Sequence, residues 1–378
     1  MTADAERKLF TPVQIGAIGL KHRVVMAPLT RSRSVQPGDT PGHLMREYYE
    51  QRASDGGLII SEATTISITA RGWFGAPGIY SDEQVAGWKK IADAVHAKGG
   101  RMFSQLWHMG RASHVDMTSG AVPVAPSVVP QYWGPDSTAV ASTPNGWFKP
   151  SPHRALDITE ISGIVEDYRK AAERAKTAGF DGVELHGANG YLPDQFLQDG
   201  SNKRTDAYGG SIENRSRFLL EIVAAMVSVW GGNRVGVRIG PGGTWNEMSD
   251  SDPAALFDYV ADQLNQFDLA YLHIIEPRVK GNVLVAEGHE PVAAERLRKI
   301  FNGKIVAAGG YEPDTAEEIV EKGDADLVAF GRYFLANPDL PQRIRLGLPL
   351  NDYDRNTFYT FDAHGYIDYP FFGERATA

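Results

Sequence analysis

What most limits the folds open to this chain is an eightfold alternation of short apolar runs with helix-period segments. Runs rich in Val, Ile, Leu and Phe and bounded by turn residues fall at Val24–Pro28, Leu58–Ala63, Arg101–Trp107, Gly182–His186, Val235–Ile239, Tyr271–Ile275, Ile305–Ala308 and Leu327–Phe330, and they read as buried strands. Helical patterns lie between them. Ser81–Lys98 opens with Ser81 and Gln84 at capping-box spacing, and Thr159–Thr177 runs into Gly179. Ser211–Trp230 carries Phe218, Leu219, Ile222, Val223 and Met226 on one face. Asp252–Phe267 and Pro313–Lys322 put Pro253 and Pro313 at the first helical position. Gly99, Gly179 and Gly323 each stand at a joint from helix to strand. This unbroken alternation predicts an α/β protein, a (β/α)8 TIM barrel. The alternative is a doubly wound sheet, which calls for a Gly-rich nucleotide turn; no G-x-G-x-x-G follows an early strand.

Two stretches depart from the repeat. Residues 9–23 read as an N-terminal hairpin that seals the bottom of the barrel. Residues 108–156 form a long Pro/Gly/Ser-rich capping insertion after strand 3, in which Trp133, Trp147 and Phe148 suggest a packed lid. No linker interrupts the chain, so 1–378 reads as a single domain, with 351–378 a C-terminal tail near the active-site mouth. With 38 Lys+Arg against 47 Asp+Glu the net charge is −9, which disfavours nucleic acid and anionic membrane as partners. The absence of cysteine removes disulfides, thiolate metal sites and Cys nucleophiles. No signal-peptide pattern opens the chain, and no stretch approaches the roughly 18 apolar residues of a membrane span, so a cytoplasmic, soluble protein, monomer or small homo-oligomer, is the expectation.

In such a barrel chemistry collects where strands end. The seventh and eighth strands end in Gly309-Gly310 and Gly331-Arg332, where glycine backbone and a permanent cation suit a phosphate; tight turns beside a surface Arg are the plain alternative. Arg238 on the fifth strand needs an anion if buried: either Glu184 or Glu62, or a cofactor that becomes anionic. Beyond the fourth strand His186 and Asn189 can point donors at one oxygen, and Tyr191 adds a phenol able to deliver a proton. Other chemistries are weaker. No H-x-H or H-E-x-x-H supports a metal hydrolase, no Lys lies inside a strand for a Schiff base, and no G-x-S-x-G marks a serine nucleophile. What remains is a phosphate-bearing organic cofactor among neutral polar groups, and no metal.

Six motifs in order carry a resemblance to a known family: Met26-Ala27-Pro28-Leu29-Thr30-Arg31, Gln105-Leu106-Trp107-His108-Met109-Gly110-Arg111, His186-Gly187-Ala188-Asn189-Gly190-Tyr191-Leu192, the Asn202–Arg215 signature, Phe330-Gly331-Arg332, and the tail Tyr366-x-Asp368-Tyr369-Pro370. Over nearly its whole length the chain resembles the flavin-dependent ene-reductases of the Old Yellow Enzyme family, among them the bacterial pentaerythritol tetranitrate, glycerol trinitrate and N-ethylmaleimide reductases. The resemblance implies non-covalent FMN, with Ala27, Pro28, Leu29 and Thr30 along the flavin, Ala63 and Gln105 at its ring edge, and Arg238 beside N1. Gly309, Gly310, Gly331 and Arg332 would take the phosphate. It implies ping-pong turnover, in which NADPH, or alternatively NADH, reduces the flavin. The flavin N5 then returns hydride to the β-carbon of an activated alkene such as an enone, maleimide or nitroalkene, with nitrate esters a further class. His186 and Asn189 would hold the substrate oxygen, Tyr191 would protonate the α-carbon, and Trp73, Trp107 and Tyr359 would wall the pocket. The Asn202–Arg215 signature is expected to be structural. A flavin dehydrogenase working toward unsaturation and a flavin-binding redox sensor are the competing readings; storage needs no proton donor, which disfavours the sensor.

Overall fold

The computed structural model describes residues 7–280, 283–284 and 292–374. Its centre is a closed parallel barrel of β1 (Val24–Met26), β2 (Leu58–Ile60), β3 (Arg101–Trp107), β4 (Gly182–Gly187), β5 (Val235–Ile239), β6 (Tyr271–Ile275), β7 (Ile305–Ala308) and β8 (Leu327–Phe330). Each strand pairs with the next in parallel, β8 returns to β1, and Phe330 faces Met26 in register. β1 and β2 end earlier than their apolar runs. Pro28 has no N–H to give a ladder; the Ser61 N–H still bonds to the Phe103 carbonyl of β3, but the Glu62 N–H leaves the ladder for the Tyr49 hydroxyl at 2.8 Å.

The helices follow the sequence signals closely. Ser81 and Gln84 form a reciprocal capping box at the start of the Asp82–Ala97 helix. Pro253 and Pro313 open the helices Pro253–Leu264 and Pro313–Lys322. Gly99, Gly179 and Gly323, at φ 79°, 85° and 81°, turn the chain out of a helix through the left-handed region, where an L side chain is strained.

Strand side chains alternate between two cores. Val24, Met26, Ile59, Leu185 and Val237 pack outward on the helices, whereas Val25, Leu58, Ile60, Phe103 and Tyr271 fill the interior. The hairpin Val13–Ile15/Ile18–Leu20 buries Val13, Ile15, Ile18 and Leu20 in that interior cluster and closes the bottom. With Leu185 and Val237 outward, Glu184, His186 and Arg238 face in, so the upper half of the barrel is polar.

The capping insertion is built of short pieces, including the one-turn helix Pro130–Trp133 and the hairpin Ala141–Thr143/Gly146–Phe148. The expected packed lid needs correction. Tyr132 is buried and Trp133 packs beside it, but Trp147 and Phe148 are 51% and 45% exposed at the hairpin tip. They sit on the exposed strand of a two-stranded ribbon and are covered on one side only, Trp147 by Trp73 and Phe148 by His114. The Asn202–Arg215 segment is structural as expected: Arg204 pairs with Asp206 at 2.6 Å, Arg215 with Asp250 at 2.6 Å, and Ser211 caps the Ile212–Trp230 helix. Among the described residues no helix is long and apolar enough to cross a membrane, and no group of His, Asp and Glu could hold a metal ion.

Candidate active site

The polar upper half of the barrel opens into a cavity of about 250 Å³. Every site residue singled out from the sequence lines it. β1 and the turn after it supply Ala27, Pro28, Leu29 and Thr30, the segment after β2 gives Ala63 and Trp73, and β3 gives Gln105 and Trp107. β4 and its loop bring His186, Asn189 and Tyr191, and β5 brings Arg238. Gly309, Gly310, Gly331 and Arg332 follow β7 and β8, and Tyr359 arrives from the tail.

Three rings form one wall. Tyr191 meets Trp107 edge-to-face at 4.8 Å and His186 at 4.9 Å, while Trp107 and His186 lie near-parallel at 6.2 Å. The loop that carries them is clamped. Asn189 is left-handed (φ 59°) with its carbonyl accepting from Asn246, the Gly190 N–H donates to Asp194 at 2.8 Å, and the Gly190 carbonyl accepts from Gln195 at 2.7 Å. A Cβ on Gly190 would fall 2.6 Å from the Asn246 side chain, so that approach needs glycine. Burial, then the charge of Arg238, holds the His186 imidazole well below its ordinary range, so it is neutral. Burial raises the Tyr191 phenol above its ordinary value, which keeps its proton on.

Arg238 pairs with neither carboxylate the sequence offered. Glu62 takes the Arg31 N–H at 3.1 Å and the Tyr49 hydroxyl at 3.3 Å. Glu184 takes Gln105 Nε2 at 2.7 Å and His273 Nδ1 at 2.9 Å. Arg238 Nε is left buried without a hydrogen-bond partner among the described residues, a costly state unless the cavity receives an anionic or hydrogen-bond-accepting ligand. On the opposite side Gly309 and Gly310 are at φ 115° and 70°, and a Cβ on Gly309 would lie 3.1 Å from Glu276. Arg332 rests over the Tyr353 ring, 5.4 Å from its centre. An unpartnered guanidinium at one end, and a glycine turn with a second cation at the other, fit a ligand that carries an electron-rich ring and a phosphate.

Sequence reasoning missed several wall residues. Trp245 after β5, Tyr311 after β7, and Tyr353 and Phe358 of the tail also line the cavity. Trp245 follows a strand end and was open to the same reading as Asn189. The tail residues are held by Arg31 and Arg33, whose buried guanidinium groups donate to the Phe358 carbonyl at 3.1 and 3.0 Å and to Gly365 and Thr357. Arg31 thus positions the pocket wall from behind. Trp73 donates from Nε1 to Ser32 at 3.0 Å and packs against Tyr359 and Trp147 at 5.1 and 5.0 Å, so the tip of the capping hairpin reaches the pocket rim.

Comparison with known proteins agrees with this geometry. Residues 8–351 match the NADH:flavin oxidoreductase / NADH oxidase family. The chain is 48% identical to 12-oxophytodienoate reductase 1 of Oryza sativa subsp. japonica over 99% of its own length and 96% of the relative's. It is 46% identical to 12-oxophytodienoate reductase 2 of Arabidopsis thaliana over 98% of each chain. Among solved structures it is similar to morphinone reductase in complex with tetrahydroNAD, with 49% identity, 97% and 99% of the two chains covered and a TM-score of 0.88. It is also similar to the old yellow enzyme homologue of Zymomonas mobilis, with 41% identity, 96% and 99% covered and a TM-score of 0.88. The chain therefore belongs to the NADH:flavin oxidoreductase / NADH oxidase family and is an oxidoreductase of the FMN-dependent, Old Yellow Enzyme type.

Proposed function

We propose that the protein is an NADPH-driven ene-reductase that acts on enones, maleimides and nitroalkenes in ping-pong fashion, as one flavin-binding unit of residues 1–378 in the cytoplasm. The observation that carries this reading is the meeting, in one cavity, of unpartnered Arg238 with His186, Asn189 and Tyr191. FMN, when bound, supplies the two-electron exchange between nicotinamide and alkene. Arg238 would offer its charge to the pyrimidine edge of the ring, Ala63 and Gln105 would border the ring edge, and Pro28, Leu29 and Thr30 would line it from β1. Gly309, Gly310, Gly331 and Arg332 would hold the phosphate.

His186, neutral, and Asn189 each offer a donor to the substrate's carbonyl or nitro oxygen. They polarise the alkene and stabilise the negative charge that builds on that oxygen. Tyr191 holds the proton for the α-carbon; burial keeps the phenol protonated, so the proton is present when the carbanion develops. Trp73, Trp107 and Tyr359 exclude water and give an apolar substrate a surface to lie on. The relatives named as reductases of 12-oxophytodienoate and of morphinone support a conjugated ketone as acceptor. The net charge of −9 supports a small-molecule enzyme without a nucleic-acid partner.

The test is an anaerobic titration of the yellow protein with NADPH in the visible range, followed by 2-cyclohexenone. Bleaching and then recovery of colour is the expected result. Bleaching without recovery would overturn the ene-reductase assignment, and a protein unable to take up added FMN would overturn the flavin reading.

A further inference from the structure

Below the cavity floor, Glu184 is fully buried on the inner face of β4. Its two oxygens accept from different strands: Gln105 Nε2 of β3 at 2.7 Å and His273 Nδ1 of β6 at 2.9 Å. His273 is fully buried as well, and its Nε2 has no partner among the described residues. If His273 were charged, it would bury an N–H with nothing to accept it; the neutral tautomer, with its proton on Nδ1, leaves only a bare lone pair. The negative charge of Glu184 is therefore not cancelled by its hydrogen-bond partner. The cation next to it on the barrel's inner face is Arg238, two register positions further up: Glu184 is paired with Gly236 across β4 and β5, and His186 with Arg238.

Gln105 is fixed by the same contact. A carboxylate accepts and never donates, so the Gln105 amide must turn Nε2 down to Glu184, which leaves Oε1 as the group available to a ligand in the cavity it lines. We propose that Glu184 is a positioning residue of the flavin site: its anion is the counter-charge of Arg238, sets the amide of Gln105, and keeps the reduction potential of the bound flavin low. This rests on the flavin reading above. A reduced flavin gathers negative charge at the edge that Arg238 faces, and a fixed anion behind Arg238 offsets part of that cation's pull, which disfavours the reduced form. The low potential makes the reduced enzyme a stronger donor toward alkenes. Burial opposes ionisation of Glu184, whereas the hydrogen bonds from His273 and Gln105 and the charge of Arg238 favour it.

The experiment measures the midpoint potential of bound FMN by dye-coupled equilibration, with FMN affinity from fluorescence quenching, in the wild type and in Glu184→Gln, Glu184→Met and Glu184→Asp. Gln and Met remove the charge at nearly constant reach, and either one suffices. In the charge-removing variants the reduced-to-oxidised ratio at a fixed potential should rise about tenfold, a positive shift of about 30 mV for a two-electron couple. Glu184→Asp, which keeps the charge, should stay within threefold of the wild type while FMN binds more weakly, because its shorter side chain releases Gln105. An unchanged potential in the Gln or Met variant, or an Asp variant that shifts as far as they do, overturns the inference while wild-type FMN binding leaves the flavin reading standing. A wild type that binds no FMN overturns both.

Discussion

The side-chain amide of Asn246 donates to the backbone carbonyl of Asn189 across 2.8 Å, tying the loop after β5 to the loop that carries Asn189 and Tyr191. Asn246 is itself left-handed at φ 56°, and its Oδ1 accepts from Tyr132 of the capping insertion at 3.1 Å. Asparagine suits that backbone because its short polar side chain bonds locally. Asn246→Ala removes both hydrogen bonds and keeps the strained φ. We expect a loss of about 2 kcal/mol in urea unfolding and an enone turnover reduced about tenfold with FMN still bound.

Tyr191→Phe should separate the two half-reactions. Its ring would keep the packing against Trp107 and His186, so flavin binding and reduction by NADPH should be unchanged. Reoxidation by 2-cyclohexenone should slow by about 10²–10⁴-fold, the usual range for a lost general acid. Stopped-flow traces of each half-reaction would check this, and unchanged reoxidation would remove Tyr191 from the mechanism.

Arg332→Ala should weaken FMN binding about 10–100-fold, the worth of a charge-assisted hydrogen bond of roughly 1.5–3 kcal/mol. Titrating the apoprotein and following flavin fluorescence would measure it. Riboflavin, which lacks the phosphate, should bind the variant and the wild type equally.

Glu62 gives a pH-dependent prediction. Burial pushes its carboxyl up to about 7, against the donors from Arg31 and Tyr49. Because the folded value is raised, its favourable contribution is complete below the ordinary carboxylate range and is lost as pH climbs through 7. Glu62→Gln stays neutral throughout. Relative to the wild type, it should therefore gain about 1 kcal/mol between pH 6 and pH 8, at about 1.4 kcal/mol per pH unit of full difference. Paired melting curves at the two pH values would show it, and a constant gap between the proteins would refute it.

How much of this was legible in the sequence depended on whether the cause was local. The strands from β3 to β8 and the capped helices were, since periodicity, capping residues and joint glycines act within a few positions. The residues at strand ends were too, because a parallel barrel sends all of them to one face. What the chain did not disclose depends on contacts between distant segments. Nothing near Tyr353 or Phe358 announces that Arg31 and Arg33, more than 320 residues earlier, seat the tail against the pocket. Nothing in the apolar tip of the capping hairpin tells that Trp147 stays half in solvent. The partner of Arg238 stood open between two glutamates in sequence, and only the placement of Gln105 and His273 around Glu184 shows that its oxygens are already engaged.

The apolar plug at the bottom of the barrel has a kinetic consequence. With Val13, Ile15, Ile18 and Leu20 filling that end, the cavity opens at the strand C-termini, and in the proposed reaction hydride donor and alkene would share that doorway. Each is then a dead-end occupant for the half-reaction that belongs to the other. Turnover should pass through an optimum in either substrate and decline at excess, so the ratio of nicotinamide to alkene, more than the level of either, would govern how fast the protein works.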